Sequence, residues 1–261
     1  MSTVLIGTSG YSYTEWVGPF YPQGTRGEEY LPFYAHHFPT VELNFSYYRM
    51  PEATQLAVMH QSAPTVRFSI KAHQSMTHRV DPHRWREQSA LFYRALEPFL
   101  QAAVLDAVLL QFPYSFHYEV EERRYLDALV QNLSGLPLAV EFRNSRWYNN
   151  RTLDALRTRG ISFVSLDLPA VEGNPPMMDV PTANLAYLRL HGRNRDTWWG
   201  SDAASRYDYL YSEGELTLIA ERLTALASQV EKTVVYFNNH KSGQAVANAR
   251  RLSELWEALH G

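Results

Sequence analysis

A single (β/α)8 barrel is the fold class this sequence predicts, and three observations predict it. Eight short apolar runs recur at roughly thirty-residue intervals, each followed by a helical or long loop segment, as parallel strands alternating with crossover helices require. In most of these runs the polar and charged residues gather at the C-terminal end, where a barrel carries its site. No Pro/Gly/Ser-rich linker divides the 261 residues, so one domain over 1–261 is the expectation, with a doubly wound open sheet as the alternative.

The elements justify this in order. Val4 to Ser9 is an apolar run that stops at Gly10, and aromatic residues crowd the loop behind it. Arg26 to His37 places Tyr30, Phe33, Tyr34 and His37 at helical spacing. Thr40 to Phe45 alternates as a strand, with Val41, Leu43 and Phe45 on one face and Thr40, Glu42 and Asn44 on the other. Tyr47, Tyr48 and Arg49 read as loop, and Pro51 leads into a helix over Ala53 to Gln61. Val66 to His73 is the third strand, with Lys71 and His73 at its end. The pattern from Trp85 to Ala103 predicts one long helix kinked by Pro98.

Ala107 to Phe112 is a fourth strand that closes on Gln111 and is halted by Pro113. A helix over Glu121 to Leu133 leads to Leu138–Tyr148, where Ala139, Glu141 and Arg143 share one face and Leu138, Val140 and Phe142 the other. Leu153 to Arg159 fits a short helix ended by Gly160. Ile161 to Asp167 sets Phe163, Ser165 and Asp167 on one face. Leu185 to His191 sets Tyr187, Arg189 and His191 together. A long loop over 192–212 follows, then an amphipathic helix from Glu213 to Gln229, a strand Thr233 to Asn238 and a closing helix from Gly243 to Leu259.

Composition excludes more than it names. Hydrophobic content of 45 % and charged content of 20 % match ordinary globular chains, which argues against disorder. A formal net charge of -3 gives no general attraction to nucleic acid or anionic lipid. The chain has no cysteine, so disulfides, thiolate metal sites and cysteine nucleophiles are excluded. The N-terminal residues lack a basic region followed by a long apolar run, and no stretch approaches membrane-spanning length, so a soluble cytoplasmic protein is expected. Gly7-Thr8-Ser9-Gly10 is too short for a phosphate-binding loop and lacks its lysine. No dinucleotide fingerprint or nucleophile elbow is present, and no cofactor is expected.

If the alternation holds, the inward rim of the barrel collects Glu42, Asn44, Lys71, Gln111, Glu141, Arg143, Asp167, Arg189, His191 and Asn238. That is three acids, three strong bases and a histidine with amide partners. Such a set is either a self-satisfied ion-pair plug or a ligand site. A plug of charges is no more stabilising than Val, Ile or Leu in the same space, so a ligand accounts for it better.

The residues also carry a resemblance. Gly7-Thr8-Ser9-Gly10-Tyr11 with Trp16 and Phe20-Tyr21-Pro22, Val41-Glu42-Leu43-Asn44 with Tyr47-Tyr48-Arg49, Lys71 with Thr77-His78, and Gln111-Phe112-Pro113 make up its first half. Val140-Glu141-Phe142-Arg143 with Trp147, Arg189-Leu190-His191-Gly192, Tyr207 with Tyr209, and Tyr236-Phe237-Asn238-Asn239 make up the second. Together they resemble the YecE-like family, known as domain of unknown function 72. The resemblance implies a TIM barrel of this size and no established reaction.

Three readings of the mouth follow. In the first, an enzyme acts on a small anionic or polyhydroxylated substrate such as a sugar phosphate. Lys71, Arg143 and Arg189 hold phosphate or carboxylate, Glu42 and Glu141 form an acid/base pair, and His191 assists. Asn44, Gln111 and Asn238 supply polar contacts, and Tyr11, Tyr48, Trp147, Trp199 and Tyr207 offer stacking faces. His36-His37 reads as helix packing, whereas His78 follows Lys71 in a loop that can reach the mouth. In the second reading Glu141, Asp167 and His191 bind a divalent metal, an order of ligands similar to that of the xylose-isomerase-like barrels, a group that includes sugar isomerases and an abasic-site endonuclease. Asn238 departs from it, standing where a carboxylate is expected, and Arg143 and Arg189 oppose a cation. In the third, Arg193, Arg195, Trp198, Trp199 and Arg206 interleave as a platform for single-stranded nucleic acid, diluted by Asp196, Asp202 and Asp208.

Overall fold

Eight parallel strands close on themselves in sequence order, each hydrogen-bonded to the next and the last to the first. The computed structural model describes residues 2–200 and 203–261. The strands are β1 (Thr3–Ser9), β2 (Thr40–Leu43), β3 (Arg67–Lys71), β4 (Leu105–Phe112), β5 (Leu138–Phe142), β6 (Ser162–Asp167), β7 (Leu185–Leu190) and β8 (Lys232–Phe237). Around them lie α1 (Tyr30–Ala35), α2 (Phe45–Tyr48), α3 (Ala53–Ser62), α4 (Trp85–Ala95), α5 (Glu97–Gln101), α6 (Val120–Asn132), α7 (Asn150–Thr158), α8 (Ala203–Arg206), α9 (Glu213–Ala227) and α10 (Gln244–His260). No described helix is long and apolar enough to cross a membrane.

Two of these helices depart from the sequence reading. The long helix expected from Trp85 breaks at Leu96, and Pro98 starts the second piece instead of kinking one rod, because a first helical turn does not need the missing N–H. Tyr47 and Tyr48, read as loop, sit in the single turn of α2.

The barrel has an inner and an outer core. Between strands and helices the packing is aromatic and aliphatic, with Phe68 stacked on Phe99 at 4.4 Å. Inside, Ala107, Leu109, Ala139, Val164, Leu166, Tyr187, Val234 and Tyr236 form a separate cluster. The small Ala107 and Ala139 leave room for two buried tyrosines to cross the lumen, so the barrel is filled and not a pore. Both hydroxyls must find partners there. Tyr236 OH pairs with Thr40 Oγ1 at 2.7 Å and donates to Ser69 Oγ at 2.9 Å, while Tyr187 OH donates upward to Glu42 Oε2 at 2.6 Å. The tyrosine layer is therefore the floor on which the charged mouth stands.

Candidate functional site

Strand pairing brings the polar rim together. Ser9 lies opposite Glu42 in the β1–β2 register, and Gln111 lies opposite Glu141 in β4–β5. Because strands in a closed barrel are staggered, side chains distant in sequence meet at one level. At that level Arg189 is the hub. Its Nε and Nη2 donate to the two oxygens of Glu42 at 2.9 and 2.8 Å, and its Nη1 donates to Glu141 Oε2 at 2.6 Å. Nη2 also reaches Ser9 Oγ at 3.2 Å. Glu42 additionally accepts from Ser9 Oγ and Tyr187 OH, so its lone pairs are taken up by the protein.

Glu141 is shared between two guanidiniums. Arg143 Nε donates to its Oε1 while Arg189 holds Oε2. Burial alone would raise this carboxyl, but Arg143 and Arg189 overcome it and bring it down to about 2. Arg143 Nη2 donates to His191 Nε2 at 3.1 Å, with Arg189 Nη1 at 3.5 Å from the same nitrogen. A guanidinium cannot accept, so Nε2 carries the lone pair and Nδ1 the proton. The Asn238 amide, 2.9 Å from Nδ1, satisfies that proton when it turns its oxygen toward the ring. Burial, followed by the charges of Arg143, Arg189 and Lys71, pushes His191 well below its ordinary value and keeps the imidazole neutral.

Lys71 stands apart from this cage. Its Nζ donates to Gln111 Oε1 at 2.8 Å and lies 4.3 Å from the centroid of the Tyr47 ring. Burial is the main cause, with Arg189 next, that brings its ammonium down to about 7. His78 meets the Tyr47 ring edge-on at 4.9 Å, and burial, with Lys71 and Arg143 close by, lowers it to about 4. Asn44 Nδ2 donates to Ser9 Oγ at 3.0 Å, and its buried Oδ1 has no partner among the described residues. The Tyr207 ring lies 5.6 Å from His191.

The structure thus brings together Glu42, Asn44, Lys71, Gln111, Glu141, Arg143, Arg189, His191, Tyr207 and Asn238. Three expectations are corrected. Trp147 is not at the mouth: the turn after β5 carries it back to the outer wall, where its ring stacks on Phe142 at 4.3 Å and its Nε1 donates to Phe116 O at 2.8 Å. There it floors a groove of about 450 Å³ between α6 and α7, away from the charged rim. Tyr48, 74 % exposed, points to solvent beside Tyr47. Asp167 faces outward, since Val164 and Leu166 take the inner positions of β6. It accepts from Arg193 at 2.8 and 2.7 Å, from Arg222 at 2.8 Å and from Tyr211 at 3.0 Å.

The metal reading loses its geometry with these placements, and the nucleic-acid reading loses part of its platform. The expected metal ligands Glu141, Asp167 and His191 point to different sides of the sheet. Among the described residues no three His, Cys, Asp or Glu side chains gather as a metal site. In the long loop Arg193 is bound to Asp167 and Glu215 and the buried Trp198 donates to Asn174 Oδ1 at 2.7 Å, so two of the five residues of the proposed platform are engaged internally, whereas Arg195 and Trp199 are exposed. Asp202, counted among the acids of that loop, lies outside the described residues. Sequence reading missed Ser9, Tyr47 and Tyr187. Ser9 and Tyr187 share the inner parity of their strands, a signal hidden because neither is charged.

Comparison with known proteins agrees with the architecture. The family model described as protein of unknown function DUF72 matches residues 5–260. UPF0759 protein YunF of Bacillus subtilis is 31 % identical over 268 residues, covering 97 % of this chain and 94 % of that protein. The crystal structure of a DUF72 family protein from Thermotoga maritima superposes with a TM-score of 0.89 at 36 % identity, over 98 % of this chain and 99 % of that one. A xylose isomerase domain protein from Alicyclobacillus acidocaldarius shares the fold, with a TM-score of 0.53 at 11 % identity over 99 % of this chain and 100 % of that one.

Proposed function

This chain belongs to the DUF72 family, and from that premise we propose that it is an enzyme acting on a small anionic or polyhydroxylated molecule, such as a sugar phosphate, in the mouth of its barrel. The observation that carries this is a surplus of positive charge. Among the described residues Lys71, Arg143 and Arg189 face only Glu42 and Glu141, and His191 is neutral. The surplus donors sit at the accessible edge. Arg143 Nη1 has no hydrogen-bond partner among the described residues, and its side chain is 17 % exposed against 3 % for Arg189. An anion placed there completes the charge balance and receives charge-assisted bonds.

The roles then differ from those the sequence suggests. Glu42 and Glu141 hold the arginines in place, because their oxygens are occupied and Glu141 stays ionised at neutral pH. Arg189 is the positioning residue at their centre. Arg143 binds the anion, and the partnerless Asn44 Oδ1 is an acceptor for a ligand hydroxyl. Proton transfer falls to Lys71, the group in the mouth brought nearest to neutral pH.

The test is ligand-induced thermal stabilisation, read against the melting temperature of each variant alone. Inorganic phosphate and sugar phosphates should stabilise the wild type. Arg143→Gln should weaken that binding by roughly 10- to 100-fold, the loss of about 1.5–3 kcal/mol expected for a bond to a charged group. Stabilisation by uncharged sugars alone, or an undiminished phosphate shift in Arg143→Gln, overturns the reading.

A further inference from the structure

Lysine is scarce in this chain. Of the 24 Lys and Arg residues only Lys71, Lys232 and Lys241 are lysines, and the other 21 are arginines. Two of the three are ordinary ion-pair partners: Lys232 holds Asp106 at 2.7 Å and Lys241 holds Asp208 at 2.5 Å. Lys71 is different. It has no carboxylate within ion-pair distance among the described residues, and its one hydrogen-bond partner is the neutral Gln111. Among the described residues the mouth has two carboxylates, and both are committed to arginines.

A chain that makes nearly every cation an arginine has placed a lysine where an arginine would serve anion binding better, with more donors and a permanent charge. What lysine adds is an amine that can lose its proton and act as a nucleophile. The surroundings favour the free amine. Arg143 and Arg189 repel its proton, the Tyr47 ring and Gln111 Oε1 fix the head group, and His78 and His191 add no charge at neutral pH. Glu42 and Glu141 would restore the ammonium, but their charge is already met by the guanidiniums.

We propose that Lys71 is a covalent nucleophile that forms an imine with the carbonyl carbon of an aldehyde, ketone or 2-oxo acid bound at the mouth. This rests on the small-ligand site proposed above and assigns its substrate class. The amine lone pair attacks the carbonyl carbon, and the carbonyl π pair moves to oxygen, which takes a proton from the nitrogen. The resulting carbinolamine loses its hydroxyl with a second proton as water, leaving C=N. The protonated imine draws electrons from an adjacent C–H or C–C bond, and hydrolysis returns the amine. Atoms and electrons balance without oxidant or reductant.

The experiment traps the imine with borohydride on the intact wild-type protein, using glycolaldehyde, pyruvate and glyceraldehyde 3-phosphate separately. With only three lysines and the α-amino group available, peptide mapping by mass spectrometry assigns each adduct. One reduced adduct on the Lys71 peptide, at least about ten-fold above the other three amines, is the expected result, and Lys71→Arg should abolish it while keeping the positive charge. Equal labelling of all amines, or labelling confined to the α-amino group, overturns the proposal. The two readings separate cleanly. Trapping with glycolaldehyde but no preference for either anionic probe upholds the imine and removes the anionic substrate. An Arg143-dependent phosphate shift with no carbonyl trapped on Lys71 upholds the anion site and removes the imine.

Discussion

Two clusters of arginine and carboxylate lie on opposite sides of the same sheet, and they differ in sign and in how many of their donors are met. On the outer face Asp167, Asp179 and Glu215 surround Arg193 and Arg222, three acids to two bases, with Tyr211 closing the set. In the mouth, among the described residues, two acids meet three bases, and Nη1 of Arg143 is unused at the accessible edge. In the outer cluster every guanidinium nitrogen of Arg193 and Arg222 donates to a carboxylate, and the set ties the loop after β7 to α9. The inner one is complete only in part. Ion pairs by themselves do not identify a site; what sets the mouth apart is a guanidinium donor left unused at an accessible edge.

The strongest way to test the contrast is to remove the hub. Arg189→Met leaves Glu42 and Glu141 in the barrel without their shared partner, and breaking a buried pair from one side costs about 3–5 kcal/mol. Urea unfolding should show a loss of that size. A loss below about 1 kcal/mol would mean that the mouth is wet enough to solvate both carboxylates, and the distinction between a dry cage and an open edge would fail.

Much of the inner set is legible in the sequence because period-two alternation and barrel closure are local rules. Glu42, Lys71, Gln111, Glu141, Arg189 and Asn238 follow from parity once the strands are recognised. The outward turn of Asp167 is not legible from charge, because charge at a strand end suggests an inward side chain. The opposite parity of Val164 and Leu166 is the better guide: that sector of the inner wall is apolar, and the acid is satisfied from outside by Arg222, 55 residues later in the chain. The position of Trp147 is hidden from the sequence for a similar reason. A turn of three residues decides whether an aromatic after β5 joins the mouth or returns to stack on Phe142, and nothing in its spacing distinguishes the two.

Acid sharpens the comparison next. Glu141 is held near 2 against an ordinary 4.5, so in the intervening range the unfolded chain binds a proton that the folded one refuses. Its contribution is therefore present above about pH 4.5 and is lost as pH falls toward about 2, amounting to about 3 kcal/mol over the window. Urea unfolding from pH 5 downward should show wild type losing stability faster than Glu141→Gln, whose neutral amide has no proton to gain. Parallel curves would mean that the two guanidiniums do not hold the carboxyl as their geometry implies.

The smallest effect belongs to the outer cluster, and it decides whether the two clusters act independently. Asp167→Asn removes the charge that Arg193 and Arg222 share but leaves each a second carboxylate, Glu215 and Asp179, so a cost of about 2 kcal/mol is expected. Phosphate stabilisation should be unchanged relative to the variant alone. The two clusters nevertheless meet at one point. Tyr211 OH donates to Asp167 and accepts from Gly192 N at 2.9 Å, one residue beyond His191. Gly192 has φ of +87° and passes so close to Tyr209 that a side chain there would collide with it, so the turn is tightly set. If Asp167→Asn weakens the phosphate shift as Arg143→Gln does, that turn transmits the outer cluster's geometry to His191 and Tyr207. The outer arginines would then be part of the site and not merely its scaffold.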